Sequence, residues 1–174
     1  MAGPVLTPLR AASVIVLRDA PLEVLMLRRN PASSFTPGAW VFPGGVAEED
    51  DLRMTAVRET REEAGITLDP ESLVPTSRWI TPVGLPKRFD TDFYLAKVDR
   101  DVEVQIDGGE IVDWMWIAPA DALARRDLSL VFPTIKNLQA ISGFTSADEL
   151  LASRRGAVIE PITPILVNGK PQLP

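Results

Sequence analysis

Apolar and alternating runs divide the chain into short strand-like stretches on either side of one strongly polar segment. Residues 11–17 (AASVIVL) and 23–28 (EVLMLR) are β-rich runs separated by Asp19-Ala20-Pro21, a pattern that predicts a hairpin. A shorter β-type run, Trp40-Val41-Phe42, ends in a Pro43-Gly44-Gly45 turn. From Leu52 to Ala64 there is neither Gly nor Pro. Asp50 or Asp51 can cap the start, and Gly65 stands where a left-handed closing residue is expected, so this stretch predicts a helix. Beyond it, 76–82 (TSRWITP) and 93–98 (FYLAKV) predict two strands around the loop VGLPKRFDTD. Residues 103–106 and 111–117 predict two more around Asp107-Gly108-Gly109-Glu110, and alternation places Trp114 and Trp116 on one face, where core packing is expected.

The last third changes period. Pro119 opens a predicted helix over 119–126, a second covers 133–141, and Ser146 with Glu149 forms a capping box for a third that ends before Gly156. Four prolines between 159 and 174 predict an extended tail or sheet-edge segment. Strands followed and interrupted by helices indicate an α/β fold with a mixed sheet between helical layers. No repeat or linker divides the 174 residues, so one domain over 1–174 is expected, with the helices and tail of 129–174 completing it.

Chemistry enters at the polar helix. Glu59, Glu62 and Glu63 are spaced i, i+3, i+4 and fall within an arc of about 100°, so their carboxylates share one side. A solvated acidic face explains this at a cost of about 0.2–0.5 kcal/mol per pair. Semi-buried and about 5–6 Å apart, each pair would instead repel by roughly 3 kcal/mol, which calls for a cation or protonation.

Composition narrows the remaining classes. The chain has no His and no Cys, which removes Ser-His-Asp triads, thiol nucleophiles, zinc sites built on imidazole or thiolate, and iron–sulfur clusters. A net charge of −6 and a pI near 4.7 argue against a nucleic acid polymer as partner. An anionic substrate must then be held by local cations. Arg28 and Arg29 begin the loop RRNPASSFTPG, and Lys87 and Arg88 precede Phe89 in the later loop; each group also reads as an ordinary strand end or solvated turn. No apolar run reaches membrane-spanning length and no signal-peptide pattern opens the chain, so a cytoplasmic protein without a membrane partner is expected.

The segment from Gly44 to Ile66 reads G-x5-acid-x7-R-E-x-x-E-E-x-G-apolar through Gly44, Asp50, Arg58, Glu59, Glu62, Glu63, Gly65 and Ile66. It resembles the signature of the Nudix hydrolases. Asp50 stands where the family usually has Glu, and Thr60 where an aliphatic residue is usual. The flanking segments AASVIVL, VLMLRRNP, FTPGAWVFPGGV and EIVDWMWIAPADAL extend the resemblance to a branch that includes the mammalian peroxisomal coenzyme A diphosphatase, although the fuller motif of coenzyme A pyrophosphatases is absent.

The resemblance implies an α/β/α sandwich and a magnesium or manganese site formed by Glu59, Glu62, Glu63 and the Gly44 carbonyl, with Glu110 as an additional ligand or base. It implies that Arg58 orients Glu59, that Glu59 is a candidate base, and that Gly45 lets a phosphate approach. The implied activity is hydrolysis of a diphosphate linkage in a small molecule. Coenzyme A or an acyl derivative leads; ADP-ribose, a nucleotide sugar or a nucleoside triphosphate is the alternative, and a catalytically silent nucleotide-binding module is the reading from another class. Homodimers are common in the family, and the sequence marks no interface.

Overall fold

The computed structural model describes residues 3–48 and 51–174. Strands β1 (Leu9–Arg18) and β2 (Glu23–Arg29) form the expected antiparallel hairpin, but pair only at its turn end, Leu17 with Val24 and Arg18 with Glu23. Beyond that they part, and the following chain fills the fork. Strand β3 (Trp40–Val41) pairs with the far end of β2, and β4 (Gly44–Val46) with the start of β1.

The expected Pro-Gly-Gly turn is therefore corrected, because its glycines lie in a strand. A Cβ on Gly44 would sit 2.6 Å from the Ala12 carbonyl oxygen and 2.8 Å from the Ser13 Cβ, so glycine is what permits β4 to approach β1 this closely.

Helix α1 (Leu52–Ala64) begins and ends as its punctuation predicts. Asp51 accepts from the Arg53 and Met54 N–H groups at 3.0 and 3.3 Å, and Gly65 closes the helix at φ 69°. Asp50, the other cap candidate and a position of the signature, lies outside the described residues. A 3-10 turn at Pro70–Ser72 leads into β5 (Val74–Ile80).

Strand β6 (Phe89–Lys97) is antiparallel to β5 and parallel to β1, from Leu9 beside Phe89 to Leu17 beside Lys97. Strand β7 (Ile111–Ile117) is antiparallel to β2 on its other side. The chain then forms α2 (Pro119–Ala124), α3 (Phe132–Ile141) and α4 (Ala147–Arg154).

Alternation along the central strands gives the sheet two apolar faces. Ala12, Val14 and Val16 of β1, with Leu25 and Leu27 of β2, pack towards α1 and Ile66. Ile15, Leu17, Val24 and Met26 face the other way, against Ala122, Leu138, Leu150 and Leu151 of the later helices. The α/β sandwich with a mixed sheet is thus the observed fold.

Two further expectations change, and a third is extended. Residues 103–106 pair with no strand; Val102, Val104 and Ile106 keep the alternation but cover the end of α1, where the Gln105 N–H donates to the Ala64 carbonyl at 2.8 Å. Trp114 is 39% exposed on β7, which pairs with β2 at the sheet's margin, whereas Trp116 packs on the core and under Arg18. The proline-rich tail supplies an edge strand, β8 (Pro161–Ile162), parallel to β5, as expected. It also forms an unforeseen hairpin of β9 (Ile165–Val167) and β10 (Lys170–Gln172) around Asn168-Gly169.

Candidate active site

The fork between β1 and β2 brings β4 beneath α1, and the helix presents its acids to that strand. Glu63 is buried, and its Oε2 accepts from the Gly44 N–H at 3.2 Å. Gly44 therefore meets the cluster through its amide. Gly45 is close behind: a Cβ there would lie 2.5 Å from the Glu59 carboxyl carbon and within 3 Å of both its oxygens. Its missing side chain makes room for Glu59, so the expected place for a phosphate is already taken by a carboxylate.

The neighbours set the charge state. Burial, chiefly, pushes the Glu63 carboxyl up to about 8; Glu59 and Glu110 add to the rise, while the Gly44 amide and Arg29 oppose it. Glu59 is raised for the same first reason, burial, against the pull of Arg58, with Glu62 and Glu110 raising it further. The Arg58 Nη1 bonds the Glu59 Oε1 at 2.8 Å and lies 3.7 Å from Glu62 and 3.9 Å from Glu48. Glu62 is more than half exposed and leans to that guanidinium.

Glu110 comes to the cluster from another element. Its loop is tied down by Asp107, which accepts from the Glu110 and Ile111 N–H groups. Asn30 holds it too, through Nδ2 to the Gly109 carbonyl and through its own N–H to the Glu110 carbonyl at 2.8 Å. Asn30 is a residue that sequence reasoning missed, although its place directly after two candidate arginines and before a proline marked a fixed turn. Ala32 donates to its side chain as in an Asx turn.

The predicted cations fare unequally. The charge of Arg29 weakly opposes the rise of the Glu63 carboxyl, and its Nε donates to the Phe35 carbonyl at 3.0 Å. Arg28 points to the opposite face, with Nη2 near Gly38. Lys87 is exposed on its loop. Arg88 is not available to a ligand: it is buried, with Nε on the Thr81 carbonyl at 3.0 Å and Nη1 on the Leu6 carbonyl at 2.6 Å. Because β6 begins one residue later, that side chain turns inward and pins the amino-terminal arm. Asp90 and Asp92, expected in the loop, lie on β6 and pair with Arg10 and Arg78.

As to a cation, the donor chemistry fits a hard divalent ion: carboxylate oxygens only, two of them partly or wholly buried and mutually repelling. Among the described residues, however, no three acidic side chains are gathered closely enough to hold an ion as they stand.

Residues 7–137 match the profile of the NUDIX domain, which spans the fork, α1 and the Glu110 loop together. The chain belongs to the NUDIX family. A Caenorhabditis elegans protein given the provisional name nudix hydrolase 7 is 28% identical over 88% of this chain and 66% of its own length. An m7GpppN-mRNA hydrolase of Bos taurus is 30% identical over 63% of this chain and 41% of its own length. The chain thus spans less than two thirds of either relative. The crystal structure of a NUDIX hydrolase from Alicyclobacillus acidocaldarius superposes with a TM-score of 0.75 at 27% identity, covering 84% of this chain and 96% of that one. The NUDIX-type sandwich is therefore the fold of this chain, and the two relatives described above are hydrolases by name. Among the described residues no helix is long and apolar enough to cross a membrane.

Proposed function

We propose that this NUDIX domain is a divalent-metal-dependent pyrophosphohydrolase that splits the diphosphate linkage of a small molecule. The observation that carries this reading is Glu63. A carboxyl buried behind a glycine amide, with Glu59 and Glu110 raising its proton affinity, is a poor structural choice and a good cation ligand. Glu59, Glu62 and Glu63 would hold magnesium or manganese, with the Gly44 carbonyl completing the set. The ion when bound supplies neutralisation of the diphosphate oxygens and a more acidic water.

The chain's own groups do the rest. Arg58 fixes Glu59 by a charge-assisted bond, so that this carboxylate is held as an acceptor. Glu110, exposed and reaching the cluster from the clamped loop, takes the proton of the attacking water. Arg29 would meet the negative charge that develops on the leaving phosphate.

Coenzyme A or acyl-coenzyme A remains the first substrate to try, supported by resemblance of the segments flanking the signature. ADP-ribose, a nucleotide sugar and a nucleoside triphosphate follow, together with a capped dinucleotide prompted by the bovine relative's name. A substrate panel with magnesium and with manganese, scored by product identity, separates them; coenzyme A must yield adenosine 3′,5′-bisphosphate. If Glu62→Gln changes neither divalent-ion binding nor turnover, the domain is a silent binding module instead.

A further inference from the structure

The carboxyl-terminal hairpin turns one face of its two strands to solvent. Its register sets Val167 opposite Lys170, Leu166 opposite Pro171 and Ile165 opposite Gln172, and alternation sorts these side chains into two sets. Leu166 and Pro171 are half-buried and make the inner face, where a Cβ built on Gly84 would lie 3.8 Å from Leu166 Cδ1. Ile165, Val167, Lys170 and Gln172 make the outer face. All four are exposed, Ile165 at 50% and Val167 at 37%.

The loop that Leu166 touches has the same character. Val83 and Leu85, the neighbours of Gly84, are 53% and 38% exposed, and Lys87 closes the loop. A two-stranded ribbon is marginal without further cover, so large apolar side chains left in water on one are unfavourable unless something else covers them. Charge sets this end of the molecule apart. Residues 81–87 and 161–174 contain two lysines and no acid, in a chain where 24 of 174 residues are acidic and the net charge is −6. Pro82 and Pro86 in the loop, and Pro164 and Pro171 at the hairpin, fix φ along both segments, so the apolar side chains are displayed on stiff backbone.

From these observations we infer that the outer face of β9 and β10, with the loop 81–87 beside it, docks on an anionic phospholipid bilayer. Ile165, Val167, Val83 and Leu85 enter the headgroup layer, and Lys87 and Lys170 pair with its negative charges. Charge complementarity selects this occupant over a second copy of the chain. An isologous contact would set a lysine-bearing, acid-free face against itself, whereas an anionic headgroup layer supplies a partner for both lysines. The acidic remainder of the chain is repelled by that layer, which orients this end towards it. Such a face lies on a bilayer without crossing it, so it needs none of the long apolar helices that the described residues lack. It revises the expectation of no membrane partner, which rested on spanning length and a leader pattern. Docking of this kind requires nothing of the acid cluster.

The test is flotation of the protein with vesicles of phosphatidylcholine alone, and of phosphatidylcholine with an equal part of phosphatidylserine, in the absence of divalent ions. Wild type is compared with the double variant Ile165→Ser, Val167→Ser and with Lys170→Glu, each checked by thermal melting. Wild type is expected to bind the anionic vesicles about tenfold or more tightly than the neutral ones, and both variants to lose most of that binding while melting as wild type does. Anionic vesicles should also slow hydrogen exchange in 81–87 and 161–174 and leave α1 unchanged. Equal binding to the two vesicles, variants that bind as wild type does, or protection confined to other elements overturns the lipid surface. A wild-type dimer in sedimentation equilibrium that the serine pair converts to monomer overturns it too, and assigns the face to a second copy.

Discussion

Glu63 shows how much chemistry a single placement can hold. Its folded carboxyl is pushed up to about 8, mainly by burial, against an ordinary value of 4.5, so between these values the folded protein keeps a proton that the unfolded chain has lost. Stability is then greatest below about 4.5 and falls as pH rises, by at most about 1.4 kcal/mol per unit, the contribution being spent near 8. Glu59 shifts in the same direction, also chiefly through burial; Glu62 and Arg58 on the same helix, and Glu110 and Arg29 from other elements, share the field. In EDTA, melting temperature should drop between pH 5 and 8, and Glu63→Gln should remove most of that slope. Saturating magnesium should stabilise wild type more at pH 8 than at pH 5.5. An unchanged slope in Glu63→Gln would mean that the site is not the source. Gly45 gives a second prediction at this scale. A methyl there meets the Glu59 carboxyl, so Gly45→Ala should lower kcat about a hundredfold with little change in melting temperature, because the far end of one side chain can move while the fold stays.

Among the elements, α1 was the most legible, because its signals are local. A carboxylate cap, thirteen residues free of Gly and Pro, and a left-handed glycine each act within one turn. Asp51→Ala should therefore cost about 1 kcal/mol in urea denaturation, and Asp51→Asn much less. Gly65→Ala should cost at least as much, since its Cβ would meet the Gln105 Cβ at 2.9 Å in a backbone conformation that alanine resists. What the sequence did not disclose depends on partners far along the chain. The strand character of Gly44-Gly45 follows from pairing with Ala12 and Ser13, far earlier in the chain, and the inward turn of Arg88 from the Leu6 carbonyl. Residues 103–106 had true alternation and no partner strand; their apolar positions were claimed by the end of α1. The acids were legible as a cluster from helical spacing alone. Their inequality was not: Glu63 buried, Glu59 held by Arg58 and Glu62 leaning outward follow from β4 lying under one edge of the helix. The Asn168-Gly169 hairpin was legible in principle, since that dipeptide favours positive φ at both positions, but the surrounding prolines drew attention to an extended tail.

For the whole molecule, the informative boundary is the one at residue 137, where the match to the NUDIX profile stops. The packing does not stop there. Helix α4 lies beyond it, yet Ala147 and Leu150 are fully buried and Leu151 nearly so, in the same cluster as Leu95 of the central β6 and Trp79 of β5. The Ala147 N–H donates to Asp19 Oδ1 at 2.7 Å, tying α4 to the turn of the β1–β2 hairpin, and β8 then adds to the edge at β5. Two leucines at about 1.5–3 kcal/mol each, with the apolar surface they cover on the sheet, make a contribution comparable to the roughly 5–15 kcal/mol by which a domain is stable. A chain ended at Gly143 keeps every residue of the acid cluster and the Glu110 loop, and so would be fully competent if the matched segment were self-sufficient. It should instead show a melting temperature lower by ten degrees or more, or fail to fold. In a full-length chain carrying Leu150→Ala and Leu151→Ala, hydrogen exchange should quicken in β5 and β6 before it does in α1, because those strands lose their cover on one face while the helix keeps its own. Protection lost first in α1 would show that α4 supports the site directly and not through the sheet.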